Sequence, residues 1–445
     1  MLFHSPFFLF LFLPIVLFLY FYTNKYSKSI YEYILVFAGI FFYAYWDIIL
    51  SPIIIGSIIF NFYFSKLIKE KSEHNSKKKL LILAIIFNII WLAIFKYTDF
   101  IIQNLNFLFD LNIDKVNLPF PLAISFVTFQ TIAHLVDCYN GKIEKNTLVR
   151  YSLFIIFFPQ LIAGPIVKYG HMMTQFCDEK NKIFNLKNFN LGLIVILIGL
   201  FKKIFLADNL AFLVEYGFTN PNNLSFYESW LTSLCFTFQI YFDFSGYIDI
   251  ATGVSLLFNI RLPQNFDSPY KSTSIINFWQ RWHITLSHFL TNYIYFPWAK
   301  SLKNINFTNT MIVTFFVFMI AGFWHGPSWQ YVIFGSLHGL GLVFNHIFRR
   351  FSNYRLHPVF SCFLTFNYIN LTFIFFRSKN IEDSINILKG MIGVNGFNYP
   401  NYSYFEISII LILILSIMIS FIFKNTNYLI ENFSSLNFEK EKKLE

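Results

Sequence analysis

The sequence predicts an all-α polytopic membrane protein, a single transmembrane domain over residues 1–445, with about 11 or 12 crossing helices and a re-entrant or interfacial segment. Three observations carry this. The chain is 56% hydrophobic and only 13% charged, with a mean hydropathy of +0.53, so a water-soluble fold would leave apolar surface with nowhere to go. Phe accounts for 62 residues and Tyr for 26, more than a soluble core packs, whereas lipid-facing helices tolerate them. The apolar runs are long and lack period-two alternation, which selects helices over barrel strands as the structure that satisfies its backbone in hydrocarbon.

At roughly 20 apolar residues per crossing, the spans fall at 6–22, 30–46, 48–66, 80–97, 118–137, 151–167, 189–207, 229–258, 309–324, 329–348, 358–377 and 404–423. The first stretch, MLFHSPFFLFLFLPIVLFLYFY, has no basic n-region and no small-residue cleavage site, so it reads as a retained span and not as a signal peptide. Basic residues gather in short loops, as in KLIKEKSEHNSKKK (66–79) and FRRFSNYR (348–355), the pattern of cytoplasmic loops. With 66–79 inside, the N-terminus is extracytoplasmic, Lys25 and Lys28 are inside and Asp47 is outside; the acid-leaning TDFIIQNLNFLFDLNIDK also falls outside. The net charge of +10 therefore reads as topology and lipid head-group contact, and no nucleic-acid partner is expected.

Residues 259–300, NIRLPQNFDSPYKSTSIINFWQRWHITLSHFLTNYIYFPWAK, are too polar to span yet rich in aromatics. Irregular backbone at membrane depth survives only where protein or water satisfies it, so this is the re-entrant or interfacial segment. The tail 424–445 is short and polar, with no room for a further catalytic domain. No internal repeat of the inverted-transporter type is visible.

Charged groups inside spans mark function or a buried partner. In QIYFDFSGYIDIATG (239–253), helical spacing puts Gln239, Asp243, Gly246 and Gly253 near one face, with Ser245, Asp249 and Thr252 on the next. Such a stripe faces protein, either as a helix–helix contact or as part of a site. FWQRWHITLSHFL (278–290) adds Arg281, His283 and His288; His283 and Ser287 share a helical face, and Trp279 and Trp282 read as interfacial anchors. GFWHGPSW (322–329) places His325 between Trp324 and Gly326 at the end of an apolar run. A lone histidine there is commonly a hydrogen-bonded core residue. Two in unusual aromatic settings suit proton transfer near neutral pH, as acyl transfer to a hydroxyl requires. No GxSxG, Walker or HExxH motif competes, and the four cysteines (Cys138, Cys177, Cys235 and Cys362) have no metal-ligand spacing, so no metal site is signalled.

Several stretches together resemble the bacterial branch of the membrane-bound O-acyltransferase family, which includes alginate and peptidoglycan O-acetyltransferases and the D-alanyl transfer protein of teichoic acid modification. They are SFVTFQTIAHLVDCYNG (125–141), FFPQLIAGPIVKY (157–169), FKKIFLADNLA (201–211), QIYFDFSGYIDIATG, LPQNFDSPYKSTSIINFWQRWHITLSHFLTNYIYFP (262–297), GFWHGPSW and GSLHGL (335–340), in the family's order over about half the chain. The resemblance implies helices around a central tunnel, where a cytoplasmic acyl donor meets an extracytoplasmic acceptor. It makes His325 the catalytic histidine and His283 the second one, with Trp324 lining the tunnel and Gly326 allowing close approach. Gln239, Asp243, Arg281, Trp282 and Ser287 support the walls, His338 is structural, and His134 and His288 receive no chemistry. Gln280, Thr291 and Asn292 depart from the family pattern of an arginine and an Arg-Asp pair, which puts the partner's identity in doubt.

The resemblance thus implies an inner-membrane, multi-pass O-acetyltransferase for a cell-envelope polysaccharide, with acetyl-CoA as donor, no bound cofactor and a separate extracytoplasmic transferase as partner. Compactness favours peptidoglycan over alginate as acceptor. Three rivals stay open: D-alanyl transfer from an acyl-carrier protein, a proton-coupled transporter using Asp243, Asp249 and the histidines, and a structural subunit without chemistry.

Overall fold

The computed structural model describes residues 1, 3–23, 30–143, 146–354, 356–399 and 403–432, which form helices and connecting loops with no strand among them. The Lys25 and Lys28 loop, Arg355 and the tail beyond Asn432 lie outside the described residues. The chain forms two compact units, Met1–Leu197 with Ile248–Pro263, and Ile198–Tyr247 with Gln264–Glu445.

The first unit contains α1 (Leu13–Thr23), entered through a π-turn at Phe8–Phe12, α2 (Ile30–Ala44), α3 (Ser51–Glu70), α4 (His74–Phe109), α5 (Ile124–Tyr139), α6 (Leu148–Ile156), α7 (Phe158–Leu161), α8 (Tyr169–Cys177) and most of α9 (Leu186–Leu200). Phe8, Phe12, Phe42, Phe158 and Phe258 pack ring to ring at its centre, which explains why so much Phe is compatible with one fold. Between α3 and α4 the buried amides of Asn61 and Asn88 bond each other reciprocally at 3.1 and 2.7 Å, and each also donates to a carbonyl one turn back. Arg150 of α6 donates to Glu32 of α2 at 2.9 Å.

Two expected spans differ here. Residues 151–167 form no continuous helix: α6 ends at Ile156, Pro159 opens the four-residue α7, and Gly164 turns against the backbone of Gln160. Pro and Gly-Pro stop the helix well short of a bilayer's thickness. The 118–137 run starts late, because Ala123 is left-handed (φ 62°) and α5 has only 16 residues.

The second unit contains the π-turn Phe201–Ala207, α10 (Asp208–Thr219), most of α11 (Phe226–Leu257), α12 (Ile275–Trp279), α13 (Ile284–Leu290), α14 (Phe296–Ser301), α15 (Phe307–His325), α16 (Trp329–Phe351), α17 (Pro358–Arg377), α18 (Ile381–Met391) and α19 (Tyr404–Phe421). Among the described residues, length and apolarity together single out Ser51–Glu70, His74–Phe109, Leu186–Thr219, Phe307–His325, Trp329–Phe351 and Pro358–Arg377 as helices able to cross a bilayer. A seventh results if the pair Glu406–Phe421 and Thr426–Asn432, bent by 46°, is one span. Phe8–Thr23 and Ile30–Ala44 are apolar but shorter. α11 has the length, at 32 residues, but carries the polar stripe.

α15 and α16 form a hairpin whose backbones touch through glycines. A Cβ on Gly322 would lie 2.6 Å from the Cα of Gly335, and one on Gly335 would lie 2.8 Å from the Cα of Gly322. Small residues allow this approach in lipid, where dispersion and not hydrophobicity joins helices.

Candidate active site

The segment 264–301 is folded from short helices and turns, and its polar backbone is bonded both within the segment and by side chains from later helices, as where Asn345 takes the Ile275 N–H at 2.7 Å. The loop at 265–267 runs beside 281–284: Ile284 N–H donates to Asn265 O at 3.0 Å, and Asp267 N–H donates to Arg281 O at 2.9 Å. Arg281 Nη1 adds a bond to Asp267 O at 3.2 Å. Arg281 therefore braces the loop through Asp267.

His283 immediately precedes α13, in a left-handed conformation (φ 44°, ψ 52°), and is 2% exposed. The expectation that His283 and Ser287 share a helical face is corrected by this conformation, which takes the histidine out of the helix. Ser287 N–H still donates to His283 O at 3.1 Å, closing the first turn, while Ser287 Oγ is buried and makes no hydrogen bond. The reading of Trp279 and Trp282 as interfacial anchors is corrected too. Both are buried: Trp282 stacks on Phe278 and meets Phe266 and Tyr270, and Trp279 donates its indole N–H inward.

His325 is the last residue of α15 and half-buried. Trp324 lies edge-on to it at 4.9 Å, and Phe376 and Phe334 close around it at 5.2 and 6.0 Å. Gly326 follows in extended conformation, and a methyl on it would run into the Tyr331 ring. His325 acts electrostatically on both His283 and His338.

His338 is locked. Trp279 Nε1–H donates to its Nδ1 at 3.2 Å, so its proton is on Nε2 and goes to Thr372 Oγ1 at 3.1 Å, whose own hydroxyl donates to Ile369 O at 2.8 Å. With both nitrogens engaged, this ring is structural.

On α11, Asp243 pairs with Lys203 at 2.8 Å, and the same ammonium reaches Asp208 at 2.8 Å. Gly246 permits this crossing, since a Cβ there would lie 2.9 Å from Gly199 O. Gln239, one turn before Asp243, has a buried Oε1 without a partner. Lys203→Gln is expected to lower the melting temperature in detergent by leaving two carboxylates facing each other, and adding Asp243→Asn is expected to restore it; a thermal scan of the three chains checks this. The departures Thr291 and Asn292 are exposed and bond only to backbone carbonyls one turn back.

Sequence reasoning missed Asn265, whose carbonyl oxygen takes hydrogen bonds from His283 and Thr285. It lies within the quoted LPQNFDSPYK stretch, but nothing local marks it, because its partners are 18 to 20 residues away. Among the described residues no three His, Cys, Asp or Glu side chains gather as metal ligands would.

A model of the membrane-bound O-acyltransferase family matches residues 8–381. The chain is 41% identical over 435 residues to the peptidoglycan O-acetyltransferase of Helicobacter pylori, covering 91% of this chain and 82% of that protein. It is 31% identical to the probable alginate O-acetylase of Pseudomonas aeruginosa, over 88% of this chain and 75% of that one. The teichoic acid D-alanyltransferase of Bacillus subtilis is 29% identical over 58% of this chain and 69% of its own length. With a family model matched over most of its length and relatives of 41% and 31% identity aligned along it, this helical membrane chain belongs to the membrane-bound O-acyltransferase family and is an O-acyltransferase.

Proposed function

We propose that the protein takes acetyl from cytoplasmic acetyl-CoA and passes it across the inner membrane for O-acetylation of a cell-envelope polysaccharide, with peptidoglycan the favoured acceptor. The observation that carries the choice of acceptor is the 41% identity, over 91% of the chain, to a peptidoglycan O-acetyltransferase. In this reading His325 is the general base. It takes the proton of the acceptor hydroxyl as the oxygen attacks the thioester carbonyl, and the thiolate of coenzyme A leaves and is protonated. The open carbonyls of the last turn of α15 complement the positive charge that this ring then carries.

His283 assists at the acceptor or at the oxyanion. Trp324 and Gly326 shape the passage around His325, while Asp243, Gln239, Arg281, Trp282 and Ser287 hold its walls. The partner is an extracytoplasmic transferase that delivers acetyl to the sugar, and the N-terminus is extracytoplasmic by the placement of its basic loops.

The test is the envelope of a deletion strain. Mild alkaline release is expected to show ester-linked acetate lost from peptidoglycan and restored by the wild-type gene. Loss of D-alanine with acetate unchanged overturns the acetyl reading in favour of D-alanyl transfer. Unchanged esters, with proton-dependent solute flux lost, overturn it in favour of a transporter.

A further inference from the structure

We propose that Asn265 is the positioning residue for His283, and that the histidine meets the acceptor through the lone pair of Nε2; this rests on the acyl-transfer reading. Asn265 Oδ1 lies 3.2 Å from the backbone N–H of Thr285, 2.9 Å from the Thr285 hydroxyl and 3.2 Å from His283 Nδ1. The backbone N–H can only donate, so the atom facing it is the oxygen and the amide has one orientation. His283 Nδ1 must then carry the proton, which leaves Nε2 of the neutral ring as an acceptor.

The same oxygen serves as the cap of α13. His283 provides no side-chain cap of its own, and Asn265 reaches over from the neighbouring loop to take the N–H of the second helical residue. One side chain therefore fixes the helix start and the tautomer together.

The backbone supports a functional reading. A non-glycine residue in the left-handed region is strained and persists where the surroundings hold it. Here the Ile284 N–H to Asn265 O bond and the edge of Phe244, 4.9 Å from the imidazole, hold it. Asn265 is itself 1% exposed, and its Nδ2 is buried without a partner.

The consequence separates two roles for His283. With Nδ1–H committed to Asn265, the ring cannot donate a hydrogen bond from Nε2 to a developing oxyanion. It can accept one from a second O–H or N–H group of the acceptor, orienting the molecule so that the proton of the attacking hydroxyl stays with His325.

The test has two arms. Full-length protein in detergent, labelled with 15N-histidine and compared with His283→Gln to assign the ring, is expected to show an Nδ1–H, Nε2-unprotonated signature; an Nε2–H ring overturns the proposal. In cells at equal protein level, Asn265→Ala is expected to lower envelope ester acetate about 100-fold, and Asn265→Asp, which keeps the acceptor oxygen, to restore it to within about tenfold of wild type. Wild-type acetate in Asn265→Ala overturns the proposal. Should the alanine chain fail to accumulate, the spectrum and the aspartate variant decide. The spectrum is read without acyl donor, so an Nδ1–H ring in a chain without transfer activity overturns the acyl-transfer reading alone.

Discussion

His325→Ala, expressed at the wild-type level, is expected to reduce envelope O-acetylation about 1,000-fold, the middle of the range for losing a positioned general base. That corresponds to about 4 kcal/mol of transition-state stabilisation at 1.36 kcal/mol per tenfold. The ring is at the end of α15 with aromatic neighbours on several sides, so truncation removes the base without collapsing the helix. His283→Gln is expected to cost less, because it removes an orienting group and leaves the base. The double variant should be little worse than His325→Ala, since residues acting as one unit lose their effects non-additively. Ester quantification on the three strains checks the order. Acetylation near normal in His325→Ala sinks the catalytic assignment, and an unchanged phenotype in the double variant makes the chain a structural subunit.

Gly335→Val is expected to be the most damaging single change away from the histidines. A Cβ at this position already meets Phe318 O and the Cα of Gly322 at less than contact distance, and these are backbone atoms that cannot turn aside. The hairpin must spread, at a cost of roughly 1–3 kcal/mol in packing. His325 lies within one turn of Gly322, so the spreading moves the base, and a displacement of about 1 Å can cost about 100-fold in rate. Gly170→Val serves as the control, because nothing approaches that position within 4 Å. The measurements are the detergent melting temperature and ester acetate. Equal values for the two variants refute the seam.

Much of this was legible in the sequence, for reasons that differ by residue. The apolar runs give most of the helices because lipid imposes one answer on a long hydrophobic stretch. The break at 151–167 was signalled by Pro159 and the Gly164-Pro165 pair, and was hidden by the hydropathy around them. α18 begins at an Asn380 cap with Glu382 and Asp383 in its first turn, a legible start that a search for 20-residue spans passes over. His283 and His325 stand out as polar groups in apolar surroundings. The left-handed turn at His283, its bond to Asn265, and the burial of Trp279 and Trp282 were not legible, because each is set by residues distant in the chain.

The reciprocal amides of Asn61 and Asn88 work as a depth key for the first helical hairpin to reach the lipid after α2. Slipping α3 past α4 by one turn, about 5.4 Å, would keep the bond each amide makes within its own helix but leave both side-chain oxygens without a donor, at about 1–3 kcal/mol each. The pair therefore admits a single vertical register of α3 against α4, so two small polar side chains set a depth that the surrounding apolar surface leaves free to slide.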